Sequence, residues 1–147
     1  MAEHEWYKTH QPNLTSIKPG SNWFFFRLNW REQNMLQNDT LKLCEVMNHW
    51  VVKCGFSRAT IATTGAASLD VGTASAGNQL DDAIAIDSGT DTWLRFDTVD
   101  DDGPVALTAD GYLYLKVLDA AVTDGITDLM IEIIVPAWDT ETDSLAE

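Results

Sequence analysis

Four stretches of this chain alternate apolar and polar side chains with a period of two, and that period suits a strand with one buried face. In 23–31, WFFFRLNWR, Phe24, Phe26, Leu28 and Trp30 share one face; Trp23, Phe25, Arg27, Asn29 and Arg31 share the other. In 50–58, Trp50, Val52, Cys54 and Phe56 oppose Val51, Lys53 and Ser57. In 112–118, Leu113, Leu115 and Val117 point inward and Tyr112, Tyr114 and Lys116 outward. In 127–135, Leu129, Ile131, Ile133 and Val135 oppose Met130, Glu132 and Ile134. Shorter strand candidates lie at 40–44, 66–71, 92–96 and 104–107, and the breakers KPGSN, TTG, DSGTD, DDDGP, TADG and TDG separate nearly all of them. REQNMLQ (31–37) and NQLDDAIAI (78–86) have room for a turn or two of helix. The pattern predicts an all-β fold, an antiparallel β-sandwich or jelly roll.

At 147 residues the chain can bury one core. We assign the sandwich to 22–137, an extended N-terminal arm to 1–21 and an acidic tail to 138–147. The arm has no steady alternation and carries Pro12, Pro19 and Gly20. Its Trp6, Tyr7, Leu14 and Ile17 would each gain roughly 1.5–3 kcal/mol from full burial, so the arm is expected to dock on a partner. The aromatics sorted outward, Trp23, Phe25, Trp93, Tyr112 and Tyr114, mark expected contact surface, because exposed apolar patches bind something. That sorting holds only for strands whose inner face has been assigned correctly, and a sandwich has two sheets to assign.

Charge narrows the partners. Net charge is −14, unevenly spread: residues 1–60 hold seven Lys/Arg against five Asp/Glu, whereas 61–147 hold two against eighteen. No basic stripe is available to displace counterions from a phosphate backbone, so nucleic acid is not an expected partner. No apolar run approaches the roughly 20 residues that span a bilayer, so no membrane is expected. The N-terminal residues lack a basic segment followed by an apolar one, and synthesis in a cytoplasm is expected. In that compartment Cys44 and Cys54 are expected to be free, packed thiols.

Catalytic and metal chemistry find little support. His4, His10 and His49 form no metal-ligand spacing. With Gly103 at position 6 of a calcium loop, Asp102 and Asp100 fit positions 5 and 3, but Thr98 and Ala109 fall at 1 and 12. There is no G-x-S-x-G elbow, P-loop or G-x-G-x-x-G. Asp70, before Gly72, reads as a corner residue whose carboxylate holds backbone N–H groups while the glycine takes a positive φ. No enzyme, no catalytic residue, no metal and no cofactor is expected.

The order AASLDVGTASAGNQLDDAIAI, then ALTADGYLYLKVLDAAVTDGITDLMIEIIVPAW, resembles small β-sandwich structural proteins of tailed bacteriophages, the capsid decoration (cement) or minor head proteins. The likeness spans roughly 40–137: a strand ending in Asp70-Val71-Gly72, a short acidic stretch, a strand at Tyr112–Leu118, an A-x-T-x-G turn at Ala121–Gly125 and a long last strand. It implies a non-enzymatic virion protein on the capsid surface that binds the major capsid protein and stabilises the assembled head. It also implies self-association as a homotrimer or other symmetric oligomer. Alternatives from other classes are a carbohydrate- or receptor-binding sandwich using the outward aromatics as a platform, and a tail or neck component.

Overall fold

The computed structural model describes residues 2–6, 17–73, 81–86, 91–94, 97–98, 101–102 and 104–137, with backbone alone at 81–83, 91–94, 97–98 and 101–102. Two sheets form an all-β sandwich. The first has the order β1 (Glu3–Glu5), β3 (Thr40–Val46), β11 (Gly111–Leu118), β5 (Ser68–Gly72), β6 (Asp81–Ala85). The second has the order β10 (Val105–Ala106), β4 (Val51–Ile61), β12 (Ile126–Val135), β2 (Gly20–Asn29), and β7 (Asp91–Leu94) also pairs with β4. β8 (Asp97–Thr98) and β9 (Asp101–Asp102) form a small hairpin. These pairings are antiparallel except β1 with β3, which run parallel.

The long alternating stretches become the strands that build the core. β2 pairs with β12 in unbroken register from Asn29 opposite Ile126 to Gly20 opposite Val135. Phe24, Phe26 and Leu28 face Leu129, Ile131, Ile133 and Val135 on the inner side of that sheet, and Leu113, Leu115, Val117, Leu69 and Val71 come from the other; all are buried. Trp30 starts a single helical turn, α1 (Trp30–Gln33), which overlaps the stretch with room for one at 31–33 and takes Trp30 and Arg31 out of the strand expected to run to 31. Asn29 caps it by accepting the N–H of Arg31 at 3.2 Å, and Asn34 closes it in the left-handed region. The buried Trp30 indole donates to Thr127 Oγ1 at 2.8 Å, so its polar atom costs nothing in the core.

Local alternation misplaces one strand. Glu132 stands opposite Cys54 and Ile133 opposite Val52, which leaves Lys53 as an extra residue on β4. One inserted residue sends every later side chain to the other face. Trp50 and Val52 therefore point inward, as expected, but Cys54 and Phe56 turn out and are half-buried, while Gly55, Ser57 and Ala59 take the inner positions. A second irregularity lies in β3, where Leu113 faces Cys44 and Tyr114 faces Lys42; Leu43 is the extra residue, and both Leu43 and Cys44 are buried.

Two further expectations change. Residues 81–85, within a stretch read as a helical turn, are β6 on the edge of β5, and Ile84 and Ile86 are buried at strand spacing. A stretch that short cannot sustain an isolated helix, whereas the open edge of β5 supplies hydrogen bonds at once. Residues 78–80 lie outside the described residues. Gly72 does not form a corner either: it continues β5 opposite Tyr114. The glycine the fold does require is Gly125 (φ +93°), before β12, where an added Cβ would stand 2.8 Å from the Ile61 carbonyl oxygen.

Within the segment read as an arm, Glu3–Glu5 pair with β3, and Trp6 is 3% exposed, its ring edge-on to Phe26 at 5.2 Å. Asp39 fastens this segment. Its Oδ1 accepts the Ala2 N–H at 2.8 Å, and its Oδ2 accepts the Leu36 N–H at 2.9 Å and faces His4 Nε2 at 3.2 Å. Gly20 and Ser21 already belong to β2.

Candidate functional site

Polar side chains do not converge into a reaction centre among the described residues. Asp70 is buried in mid-strand, opposite Lys116. His4 is engaged with Asp39, and His49 sits in a turn at φ 73° before Trp50. No three His, Cys, Asp or Glu side chains could share a metal ion among the described residues. The run expected as a calcium-loop mismatch contains the β8–β9 hairpin, in which Asp97 stands opposite Asp102 and Thr98 opposite Asp101. Both cysteines are free: Cys44 is inside the first sheet and Cys54 outside the second. Burial pushes both thiols up, and beside Cys54 the Glu132 carboxylate adds to that, so neither is an activated nucleophile. A shallow hollow near Val46, Leu107 and Tyr112 contains one carboxylate, Asp110, which already accepts the Asn48 N–H at 2.8 Å. No helix among the described residues is long and apolar enough to cross a membrane.

What the fold does present is two outer faces. On the first sheet, Tyr112 and Tyr114 alternate with the buried Leu113 and Leu115 and meet edge to face at 6.3 Å. Lys42 lies over both rings, its Nζ 4.7 Å from one centroid and 5.9 Å from the other, and pairs with Glu3 at 2.9 Å. This is a cross-strand cation–π arrangement closed on itself.

The outer face of the second sheet is arranged in rows by strand register. One row reads Phe25, Met130, Phe56 across β2, β12 and β4, and the backbone of Trp93 on β7 continues it opposite Phe56. The row on one side is Trp23, Glu132, Cys54; on the other it is Arg27, Asp128, Arg58. Trp23 is 44% exposed and Phe25 37%. Ionic contacts flank the apolar row. Arg27 grips Asp128 through two bonds of 2.8 Å, with Thr60 Oγ1 donating to the same carboxylate at 2.6 Å, and together these hold Asp128 below the usual carboxylate range despite its partial burial. Glu132 accepts from Ser21 Oγ at 2.9 Å and pairs with Lys53 at 3.2 Å.

The expected contact residues are thus distributed over the molecule. Trp23 and Phe25 are exposed on the second sheet, Tyr112 and Tyr114 half-buried on the first, and Trp6 is inside this chain's own core. Ile17, 42% exposed, lies just before β2. Tyr7 and Leu14 fall outside the described residues, as does the side chain of Trp93. A platform made of Trp23, Phe25, Tyr112 and Tyr114 together is not present, because the two sheets point these pairs in opposite directions. Neither Phe56 nor Met130 was among the expected contact residues. The Lys53 bulge hid Phe56; Met130 was already legible as outward.

The class defined by these observations is an all-β sandwich with aromatic side chains on both outer faces. No protein-family model matches the chain, and no curated protein does. Solved structures that share the fold include a chain in the capsid of Ralstonia phage GP4, with a TM-score of 0.63 and 14% identity over 90% of this chain and 97% of that one. Another is in the cyanophage Pam1 capsid asymmetric unit, at 0.54 and 15% over 86% and 95%. A third is in the acidic stable capsid structure of Helicobacter pylori bacteriophage KHP30, at 0.55 and 13% over 82% and 91%. At such identities the likeness is one of fold. Nearly all of each chain is covered from both sides, so the matched chains are about as long as this one.

Proposed function

We propose that this chain is a non-enzymatic structural protein of a tailed-phage virion, and specifically a decoration or cement protein on the capsid surface. The observation that carries the reading is whole-chain likeness in fold to chains of this length within three phage capsids. A compact domain of that size suits an accessory subunit seated on a shell built by a larger major capsid protein. Its work is adhesion. A subunit that binds only the assembled head adds its binding free energy to what disassembly must overcome, and repetition over a symmetric lattice multiplies a modest affinity per site. Synthesis in the host cytoplasm and symmetric self-association, as a homotrimer or another closed oligomer, belong to the same reading. The separation of the aromatics onto opposite faces weighs against the glycan-binding platform.

Copy number on purified particles of the phage that encodes the chain tests this, by quantitative gel or by imaging. Hundreds of copies per particle are expected, with heads lacking the chain opening at lower temperature. Six or twelve copies would place it on the portal–tail axis and overturn the decoration reading.

A further inference from the structure

We infer that the free edge of β2 is where two copies of this chain join, the two β2 strands pairing antiparallel about a two-fold axis normal to the sheet. The inference stands apart from the virion reading and needs only the chain itself. β2 ends the second sheet: β12 pairs with it on one side, and among the described residues no strand and no main-chain hydrogen bond occupies the other. The Trp30 N–H donates to the Gly125 carbonyl at 3.1 Å, one step beyond Asn29 opposite Ile126, so this pair is a hydrogen-bonded one. Bonded and non-bonded pairs alternate along an antiparallel ladder. Leu28, Phe26, Phe24 and Asn22 therefore spend their main-chain groups on β12, while Arg27, Phe25, Trp23 and Ser21 turn theirs to the open edge. Such a row is a template for one more strand.

Charge singles out this edge. β2 is ten residues long and its one charged side chain is Arg27. The other edge strands carry carboxylates, a usual guard against strand pairing: Glu3 and Glu5 on β1, Asp81 and Asp82 on β6, Asp91 on β7. β10 has no carboxylate but is two residues long. In a chain of net charge −14, two copies repel over most of their surface, and β2 is the long edge at which they meet without acidic groups on the pairing strands.

A second copy fits because the strand is complementary to itself. Main-chain groups meet only when edge-facing residues oppose one another, which puts the axis through a residue and not between two. An axis at Phe25 pairs residues 21–29 and leaves out Gly20, whose φ is 94°. Trp23 of each copy then stands opposite Arg27 of the other, an indole beside a guanidinium, and Phe25 stands opposite its own equivalent. A two-fold normal to the sheet keeps each face on its own side, so buried Phe24 lies opposite buried Phe26. The outer row Phe56–Met130–Phe25 continues into the same row of the second copy. At strand spacings of about 4.8 Å and about 3.4 Å per residue, Asp128 and Glu132 stay about 14 Å or more from those of the other copy, beyond the screening length of about 8 Å. On the first sheet β1 carries Glu3 and Glu5, and Lys42 beside them offsets part of that charge. The Phe25 pair and the two Trp23–Arg27 pairs exchange about six main-chain hydrogen bonds.

Sedimentation velocity on the full chain from about 1 to 300 µM tests this, and the mass should rise from 16.3 kDa towards twice that value. Residue-resolved amide exchange by NMR reads the contact itself. Protection of the Trp23, Phe25 and Arg27 N–H groups should rise at least tenfold across that range, whereas Phe24 and Phe26, bonded to β12, stay protected throughout. Phe25→Lys sets two cations opposite each other at the axis and should weaken association at least tenfold. Phe56→Lys, two strands in from the edge, should leave it within twofold. Far-UV circular dichroism checks that each variant folds; where Phe25→Lys does not, Trp23→Lys, opposite Arg27 of the other copy, replaces it, and where Phe56→Lys does not, Tyr114→Asp on the first sheet does. A chain that stays monomeric, or one that forms a trimer, overturns the inference. So does a dimer whose alternate β2 amides do not respond to concentration, or one that the edge variants leave intact. Copy number on particles is a separate measurement, so either reading can fail alone.

Discussion

The outer face of the first sheet spends its aromatic rings on its own cation, whereas that of the second leaves Trp23 and Phe25 exposed to solvent. Tyr112 and Tyr114 lie under Lys42, which is itself paired with Glu3, so each polar and π group there has an intramolecular partner. On the second sheet the ionic groups pair with each other, Arg27 with Asp128 and Lys53 with Glu132, and the rings between them receive no cation of comparable position except Arg58, 5.7 Å from the Phe56 centroid. Both faces come from strands of the same alternation. The difference teaches that alternation alone does not separate an outward aromatic satisfied by its own sheet from one left exposed.

The largest effect should come from comparing the two sides of β2. Phe26 has no exposed surface and touches Trp6 and Phe24, so Phe26→Ala should cost about 3–5 kcal/mol in denaturant unfolding. Phe25→Ala, one residue on, should change stability by about 0.5 kcal/mol or less. Equal losses at the two positions would break the comparison, because Phe25 would then be a structural residue like Phe26.

Next comes Asp39, which holds the edge of the first sheet. Asp39→Ala removes an acceptor shared by two backbone N–H groups and His4, and hydrogen bonds to a charged group are worth about 1.5–3 kcal/mol. The variant should free β1 and move Trp6 into water, read as a red shift in tryptophan emission. Burial alone would raise the Asp39 pKa, but the N–H groups of Ala2 and Leu36 and the His4 ring outweigh it and hold the carboxyl below its ordinary value. The unfolded carboxyl titrates near about pH 3.9. The stabilisation from Asp39 is therefore complete above that pH and fades as the pH falls through the lower native value. Release of Trp6 should follow that acid step.

Asp128 gives the matching test on the second face. Its hydrogen bonds from Arg27, and then from Thr60, also depress its pKa, so its contribution has the same sign and fades in the same acid range. Its partner Arg27 is exposed, however, and salt screens exposed pairs. Molar salt should flatten the acid dependence due to Asp128, isolated in an Asp39→Asn background, and leave that of Asp39 largely unchanged. If both respond alike, the second face is better shielded from solvent than its exposed aromatics indicate.

Much of this was legible in the sequence because alternation is a local property. Phe24, Phe26 and Leu28, and Leu129 through Val135, were sorted correctly from spacing alone. Cys54 and Phe56 were not, because the bulge at Lys53 exists only in the register between β4 and β12, which no local window contains. The same applies to Trp6: its burial depends on Asp39 capturing Ala2 and His4 from 35 to 37 residues away. Which sheet each outward aromatic belongs to is also non-local, and so a single platform could be imagined where the fold provides two opposed faces.

The smallest expected effect is at Lys42. Lys42→Met keeps an unbranched stem over Tyr112 and Tyr114 and removes the charge that Glu3 and the rings share. Glu3 is the exposed partner, and a pair open to solvent at one end contributes little, so the thermal midpoint should move only slightly. The sedimentation behaviour should match that of the unaltered chain, because the rings still pack on each other edge to face. A Lys42→Met chain that forms larger assemblies would show the cation to be what closes this face to partners. The difference between the two faces would then reduce to one lysine, present over the tyrosines and missing over Trp23 and Phe25.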